Sequence, residues 1–295
     1  MSGWAVIAAR FAVYVTLAAA FGVPLQASID RWRIRRRWLI AIVGSALIAS
    51  IVALLVLVAS MAGTAILPVD REVLRIVLGE TPVGAAFLVR FAALALAVVA
   101  CGWSGRGATM IVCAGSGVAL ATVAWTGHGA MQDGTAGMVH LAADIVHLIA
   151  GTAWIGAIIT LSLRLLAARR DPAALRDTLA ALHRFALTGS ALVAAIVVTG
   201  VVNGWMIVGA EGWAILRSTR YGWLLVAKVA LFAVMLAFGA RHRWVSVPRF
   251  RDALNRGDDD APRALLRSLT LELCVGLTIL FLVAWLGTLS PSDQG

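Results

Sequence analysis

The chain has 295 residues, of which 61% are hydrophobic and only 14% charged, whereas an ordinary soluble domain is about 25% charged. So few charged residues cannot form a polar surface, and the composition excludes a soluble globular protein, a disordered chain and a coiled coil. The formal net charge is +10, but the basic residues are mostly arginines in short clusters between apolar segments. Such clusters are typical of membrane topology, so we expect an integral membrane protein with no nucleic-acid partner.

Eight apolar segments approach or exceed the length that crosses a bilayer, which is about 20 residues. In chain order they cover residues 4–23, 38–59, 83–101, 108–126, 138–163, 184–208, 221–240 and 265–288. The first is not expected to be a cleaved signal peptide, because its start carries no basic cluster and Arg10 interrupts the apolar segment. The predicted fold is all-α, a polytopic bundle of eight transmembrane helices forming one domain over residues 1–295.

The distribution of arginine predicts the orientation of the bundle, because basic loops remain in the cytoplasm. Eighteen arginines lie in or beside the loops that follow the first, third, fifth and seventh spans. Four lie in the loops on the other side, at positions 71, 75, 217 and 220. We therefore expect both termini in the periplasm and the protein in the inner membrane of a bacterium.

One outer loop is predicted to contain an interfacial helix over residues 68–80. Pro68 suits a first helical turn, and apolar residues recur at helical spacing among charged ones. These apolar residues are Val69, Val73, Ile76 and Val77.

The fifth span carries the densest set of ionisable residues, His140, Asp144 and His147, with Trp154 two turns further on. Ionisable groups at membrane depth are costly and are functional candidates by default. Their spacing places all four residues on one helical face. In the predicted orientation His140 lies near the outer surface and His147 about 13 Å deep.

The side chains of this face and of the loop before it suggest a metal site. Imidazole and carboxylate bind copper and other late transition metals; thioether with imidazole favours Cu(I), whereas His-rich sets suit Cu(II) or zinc. The candidate ligands are His128, His140, Asp144 and His147, and Asp144 could instead fix the tautomer of a ligating histidine. Met131 and Met138 are possible further ligands, although methionine in such segments is more often an ordinary packing residue.

Other polar side chains are expected in the same outer half of the bundle. Asn203 and Met206, like Trp154, are possible further ligands or pathway residues, and the cations are Arg10, Arg90 and Lys228. One of the three cations could neutralise Asp144, or such a pair could only fix helix packing. Glu272 is expected in the inner half, where it could carry protons, line an exit path or pair with an arginine.

Several ordered motifs stand out between residues 127 and 288. They are Gly127-His128, Asp144-Ile-Val-His147, Trp154-Ile-Gly156-Ala157, Arg184-Phe-Ala, Thr199-Gly-Val-Val-Asn203-Gly-Trp205, Tyr221-Gly-Trp-Leu-Leu-Val-Ala-Lys228 and Leu271-Glu272-Leu. Together they resemble the copper resistance protein D (CopD) family, whose usual Trp-x-Gly-Gly is changed here only at Ala157. The resemblance implies an eight-helix inner-membrane protein that handles copper, is thought to bring it toward the cytoplasm and often works beside a periplasmic copper-binding protein of the CopC type.

Three functions remain open on the sequence. The first is a copper permease that captures copper at the histidines and is driven by the membrane potential or by protons. The second is a haem-binding redox membrane protein, because paired histidines can ligate haem. The third is a copper sensor or assembly factor that does not transport. An enzyme is not expected, since the chain has no nucleophile elbow and no HExxH motif.

Overall fold

The computed structural model describes residues 3–126, 134–168, 171–209, 212, 216, 219–256 and 261–289. Within these ranges every regular element is helical and no strand occurs, which confirms the all-α prediction. The α-helices are α1 Gly3–Ile29, α2 Arg36–Ala62, α3 Arg71–Glu80, α4 Pro82–Ala100, α5 Arg106–Ala121, α6 Gly134–Ala168, α7 Pro172–Val208, α8 Arg220–Arg241, α9 Val247–Arg256 and α10 Ala261–Leu286. A 3₁₀ turn, Thr122–Thr126, extends α5, and a π-helical turn, His242–Ser246, joins α8 to α9.

Among the described residues, eight helical segments are long and apolar enough to cross a membrane, and each contains or overlaps one predicted span. They are Gly3–Ile29, Arg36–Ala62, Pro82–Ala100, Arg106–Thr126, Gly134–Ala168, Pro172–Val208, Arg220–Arg256 and Pro262–Leu286. Three of them extend well beyond the apolar segments, because polar turns continue the helix. The start of α7 illustrates this, since the Asp171 side chain accepts hydrogen bonds from the amides of Ala173 and Ala174 and so caps the helix.

The short helix α3 begins three residues later than the sequence indicates. The Asp70 carboxylate accepts hydrogen bonds from the amides of Glu72 and Val73, so Asp70 is the N-cap. Pro68 therefore lies before the helix instead of in its first turn. Val77, which is 1% exposed, packs in one apolar cluster with residues of α2 and α4 such as Leu54 and Phe87.

Helices α1 and α6 approach each other closely at two glycines. A methyl group added to Gly22 or to Gly156 would overlap the backbone of the opposite helix, so only glycine fits at this crossing. The Thr160 hydroxyl also lies 3.4 Å from the Val23 carbonyl oxygen. The Trp154-Ile-Gly156-Ala157 motif thus provides the small residue on which the α1 and α6 contact depends.

A buried carboxylate, Asp30, joins three helices at the end of the bundle that the arginine distribution predicts to be cytoplasmic. Its Oδ1 atom lies 3.1 Å from Arg184 Nη2, and its Oδ2 atom lies 3.6 Å from Arg164 Nη1. Gln26 Nε2 donates a further hydrogen bond to Oδ2 at 3.0 Å. Paired in this way, the charge can be buried, and Asp30 fixes the ends of α1, α6 and α7 to one another.

Candidate metal site

A cavity of about 140 Å³, here called the outer cavity, lies between α1, α6, α7, α8 and α10. Its polar lining residues are Arg10, Tyr14, His140, Asp144, His147, Asn203, Tyr221 and Lys228. The three candidate ligands of α6 therefore share one cavity, as their helical spacing predicts. A water molecule accounts for about 30 Å³ of liquid volume, so the cavity has room for an ion with a few waters.

His147 is held by a hydrogen bond that defines which ring nitrogen is free. Its Nδ1 atom lies 3.0 Å from the Thr199 hydroxyl oxygen, and that hydroxyl donates its single hydrogen to the Ala195 carbonyl oxygen at 2.6 Å. Thr199 must then accept from an Nδ1–H of His147. The lone pair of the neutral ring is consequently on Nε2, which is the state in which imidazole binds a metal.

His140 and Asn203 each carry a buried polar atom without a hydrogen-bond partner among the described residues. These atoms are Nδ1 of His140 and Oδ1 of Asn203. His140 is only 2% exposed, and Asn203 Nδ2 donates to Asp144 Oδ1 at 3.4 Å, which leaves its Oδ1 as a free acceptor. A buried polar atom without a partner costs about 1–3 kcal/mol, and both atoms belong to residues that line the outer cavity.

Two cations, Arg10 and Lys228, also line the outer cavity, and they belong to other helices than the histidines. Lys228 of α8 lines the outer cavity together with Asp144, close enough for their opposite charges to attract. Arg10 of α1 donates from Nη2 to the Thr126 carbonyl oxygen at 3.3 Å, and its guanidinium packs against Gly287. Arg90 lines a different cavity.

Several predicted site residues are not brought to the outer cavity. Met138 is 65% exposed, Met206 is absent from the cavity lining, and Trp154 faces a separate cavity. His128 and Met131 lie outside the described residues. Within the described part of the chain, no group of three or more His, Cys, Asp or Glu side chains is arranged to hold a metal ion.

A second polar cluster surrounds Glu272, which is 1% exposed. Its Oε1 atom accepts a hydrogen bond from Trp154 Nε1 at 3.1 Å, and its Oε2 atom lies 3.1 Å from His242 Nδ1. His242 Nε2 in turn lies 2.8 Å from the Ser268 hydroxyl oxygen. Glu272 thus pairs with a histidine, not with an arginine, beside a cavity of about 590 Å³ that we call the inner cavity.

His242 and His183 both line the inner cavity, and neither stood out as a candidate in the sequence. His242 follows the apolar part of the seventh span and stands between two arginines, a context typical of a solvated loop. The π-helical turn that begins at His242 continues the helix instead, and such turns are frequent at functional sites. A histidine directly after a span was the one signal in the sequence that could have identified it.

Comparisons with known proteins agree with the motifs. The family model described as "Copper resistance protein D" matches residues 179–286, and that described as "Copper resistance protein D-like, N-terminal domain" matches residues 1–138. Copper resistance protein D of Pseudomonas syringae pv. tomato is 36% identical over 305 residues, which cover 98% of this chain and 97% of that protein. No solved structure gives a significant match.

Two further relatives match about half of the chain. The inner membrane protein YebZ of Escherichia coli (strain K12) is 28% identical over 171 residues, which cover 57% of this chain and 55% of that protein. The copper transport protein CutJ of Bacillus subtilis (strain 168) is 30% identical over 168 residues, or 56% of this chain and 28% of that protein. Together with the eight apolar helices, these matches identify a multi-pass protein of the inner membrane with a copper-related function. The chain belongs to the copper resistance protein D family.

Proposed function

We propose that this protein moves copper from the periplasm toward the cytoplasm and that the ion binds in the outer cavity, where movement of the side chains would bring His140, Asp144 and His147 together around it. His128, which precedes α6 in the sequence and lies outside the described residues, is the fourth candidate ligand. The proposal is supported above all by one observation: two imidazoles and a carboxylate line a single cavity in a protein whose relatives are named for copper resistance and copper transport.

The polar atoms around the cavity favour an ion as its occupant. His147 presents an unprotonated Nε2, because its Nδ1–H is engaged by Thr199. His140 Nδ1 and Asn203 Oδ1 are buried without partners in the described residues. Nitrogen and oxygen donors of this kind suit Cu(II), and thioether donors would be needed to favour Cu(I).

Lys228 gives the empty site a neutralising partner for Asp144. The nearby Lys228 ammonium group is a countercharge for the Asp144 carboxylate, so the half-buried acid is not left as an isolated charge. A copper ion that binds Asp144 would compete with Lys228 for the same carboxylate. Binding and release of copper would then be linked to a rearrangement between α6 and α8, which is a property expected of a transporter.

The same cavity disfavours a haem protein. At about 140 Å³ it is well below the roughly 300–1,000 Å³ of pockets that enclose larger organic ligands. His140 and His147 also lie on one helix, whereas a haem with two histidine ligands needs them on opposite sides of the ring. We therefore expect no Soret band in the optical spectrum of the purified protein.

The direction of transport follows from the predicted orientation. With both termini in the periplasm, the outer cavity lies on the periplasmic side and the inner cavity with Glu272 on the cytoplasmic side. The membrane potential then favours inward movement of a cation by about 2.3 kcal/mol per charge per 100 mV. A periplasmic copper-binding protein of the CopC type is a candidate donor to the outer cavity.

Copper binding to the purified protein tests the site. Equilibrium titration with Cu(II) is expected to give an affinity at least about tenfold lower for His140→Ala, His147→Ala and Asp144→Asn than for the wild type, because each removes a donor. His183→Ala is the matched control, since His183 is an exposed residue of the inner cavity. Wild-type affinity in all three outer-cavity variants would refute the assignment of the site.

Copper uptake into proteoliposomes separates transport from mere binding. Vesicles that contain only this protein are expected to accumulate copper under an inside-negative potential, and Asp144→Asn is expected to reduce the initial rate. Copper binding without uptake would instead identify a sensor or an assembly factor.

A further inference from the structure

A third cavity, of about 170 Å³, lies beside the outer cavity between α1, α2, α4 and the 3₁₀ turn Thr122–Thr126. The guanidinium groups of Arg10 and Arg90 both line it, and its lining contains no acidic residue. We call it the arginine cavity. Arg10 is also part of the outer cavity, so the two cavities are adjacent.

Arg90 is buried to an unusual degree for a charged residue, with only 2% of its surface exposed. Its Nε atom donates to the Thr122 hydroxyl at 2.9 Å, and its guanidinium lies over the Phe87 ring at 4.7 Å from the centroid. Its Nη2 atom is buried and has no hydrogen-bond partner among the described residues. One donor of a buried cation that lines the arginine cavity therefore has no partner among the described residues.

Arg10 repeats the pattern on the other side of the arginine cavity. Its Nη2 atom donates to the Thr126 carbonyl oxygen, but its Nε atom is buried without a partner in the described part of the chain. No ion pair within 4 Å among the described residues includes Arg10 or Arg90. Two like charges, one buried and one half-buried, thus line one cavity with no carboxylate in its lining, and burial of such charges is costly unless an anion accompanies them.

We propose that the arginine cavity binds a small monovalent inorganic anion, a halide, between Arg10 and Arg90. The unused N–H groups of the two guanidiniums supply the donors, and the anion supplies the missing countercharge. Apart from Tyr14, Ser60 and Thr126, the remaining lining is apolar. Such a lining suits a weakly hydrated monovalent ion, whereas a doubly charged phosphate would need more donors than the cavity offers.

An anion at this position has a consequence for the outer cavity. Arg10 faces both cavities, so a bound halide lowers the positive potential that Arg10 and Lys228 create where His140, Asp144 and His147 meet. A cation then approaches the outer cavity against less repulsion. This consequence rests on the proposed function, whereas the binding of the anion does not.

Thermal unfolding of the purified full-length protein tests the anion site without copper. The protein is compared in sodium gluconate and in sodium chloride or bromide at equal ionic strength. A ligand that binds only the folded state raises the midpoint of unfolding, and halide at about ten times its dissociation constant is expected to raise it by about 3 °C. Arg90→Gln is expected to abolish this shift, and Arg75→Gln, at a side chain that is 72% exposed, is expected to retain it.

Direct binding keeps the proposal testable if Arg90→Gln does not fold. Radioactive chloride is expected to be retained by the wild type at about one ion per chain and to be displaced by bromide, and Arg10→Gln is expected to weaken its retention. The absence of both a halide-dependent shift and retained chloride would overturn the proposal. It would also be overturned if phosphatidylglycerol, but not halide, stabilised the wild type in an Arg90-dependent manner, because the occupant would then be a lipid headgroup.

Discussion

Replacement of Glu272 tests whether the polar contacts between helices stabilise the bundle, because this one buried carboxylate connects three helices. Its two oxygens accept from Trp154 of α6 and contact His242 at the end of α8, while Glu272 itself belongs to α10. With 1% of its surface exposed, the side chain cannot exchange these contacts for water. Glu272→Leu leaves the indole and imidazole groups without their acceptor, and we expect a loss of about 3–5 kcal/mol in the free energy of unfolding.

The conservative variant Glu272→Gln measures how much the negative charge itself contributes to the free energy of unfolding. Glu272→Gln keeps the size and one carbonyl acceptor but replaces charge-assisted hydrogen bonds by neutral ones, and we expect a loss of about 1–2 kcal/mol. One kcal/mol corresponds to about 2–4 °C in a chain of comparable size. The order of unfolding midpoints should therefore be wild type, then Glu272→Gln, then Glu272→Leu.

The assay is thermal unfolding in detergent, followed by tryptophan fluorescence. Asp252→Asn is the matched control, since Asp252 pairs with Arg251 at 3.3 Å but its side chain is 52% exposed. Exposed pairs of this kind contribute about 0–1 kcal/mol, so its midpoint should change little. A Glu272→Leu protein as stable as the wild type would refute the reasoning, because the three-helix connection would then make no net contribution.

Three further predictions concern packing and orientation. Gly156→Ala is expected to lower the free energy of unfolding by about 1–3 kcal/mol, because the added methyl group overlaps the backbone at Gly22, whereas Gly44→Ala has open space and should be neutral or stabilising in the same thermal assay. Asp30→Ala is expected to cost about 3–5 kcal/mol, because it leaves Arg164 and Arg184 without their carboxylate, and a midpoint equal to that of the wild type would contradict this. Alkaline phosphatase fused to the C-terminus is expected to be active and a fluorescent protein dark, and the reverse result would invert the assigned orientation.

The membrane spans could be predicted from the sequence because their signal is local. Apolar length alone identifies a spanning segment, and all eight are present. Their ends were less predictable, since polar turns such as the one capped by Asp171 continue a helix without adding apolar residues. The π-helical turn at His242 is a second case, in which the helix runs on through an arginine-rich segment.

Part of the candidate site could also be predicted, for the same reason. His140, Asp144 and His147 lie on one helix, so their common face follows from helical periodicity, and the structure brings all three to one cavity. Trp154 shares that face but lies two turns deeper than His147, and there it meets Glu272 of α10.

Contacts between helices could not be predicted, because they depend on the register of one helix against another. Helical spacing on a single segment carries no information about that register. The pairing of Glu272 with His242, of Asp30 with two arginines, and the proximity of Arg10 to Arg90 at one cavity are all of this kind. Each joins residues far apart in the chain, so each could be identified only from the three-dimensional structure.

Anomalous X-ray diffraction at the copper absorption edge, on crystals of the copper-loaded protein, tests the central claim most directly. The proposed function predicts a copper peak inside the outer cavity, bonded to Nε2 of His147 and adjacent to His140 and Asp144, and predicts that the peak disappears in His147→Ala. Copper bound elsewhere in the protein, with no peak between α6, α7 and α8, would contradict it.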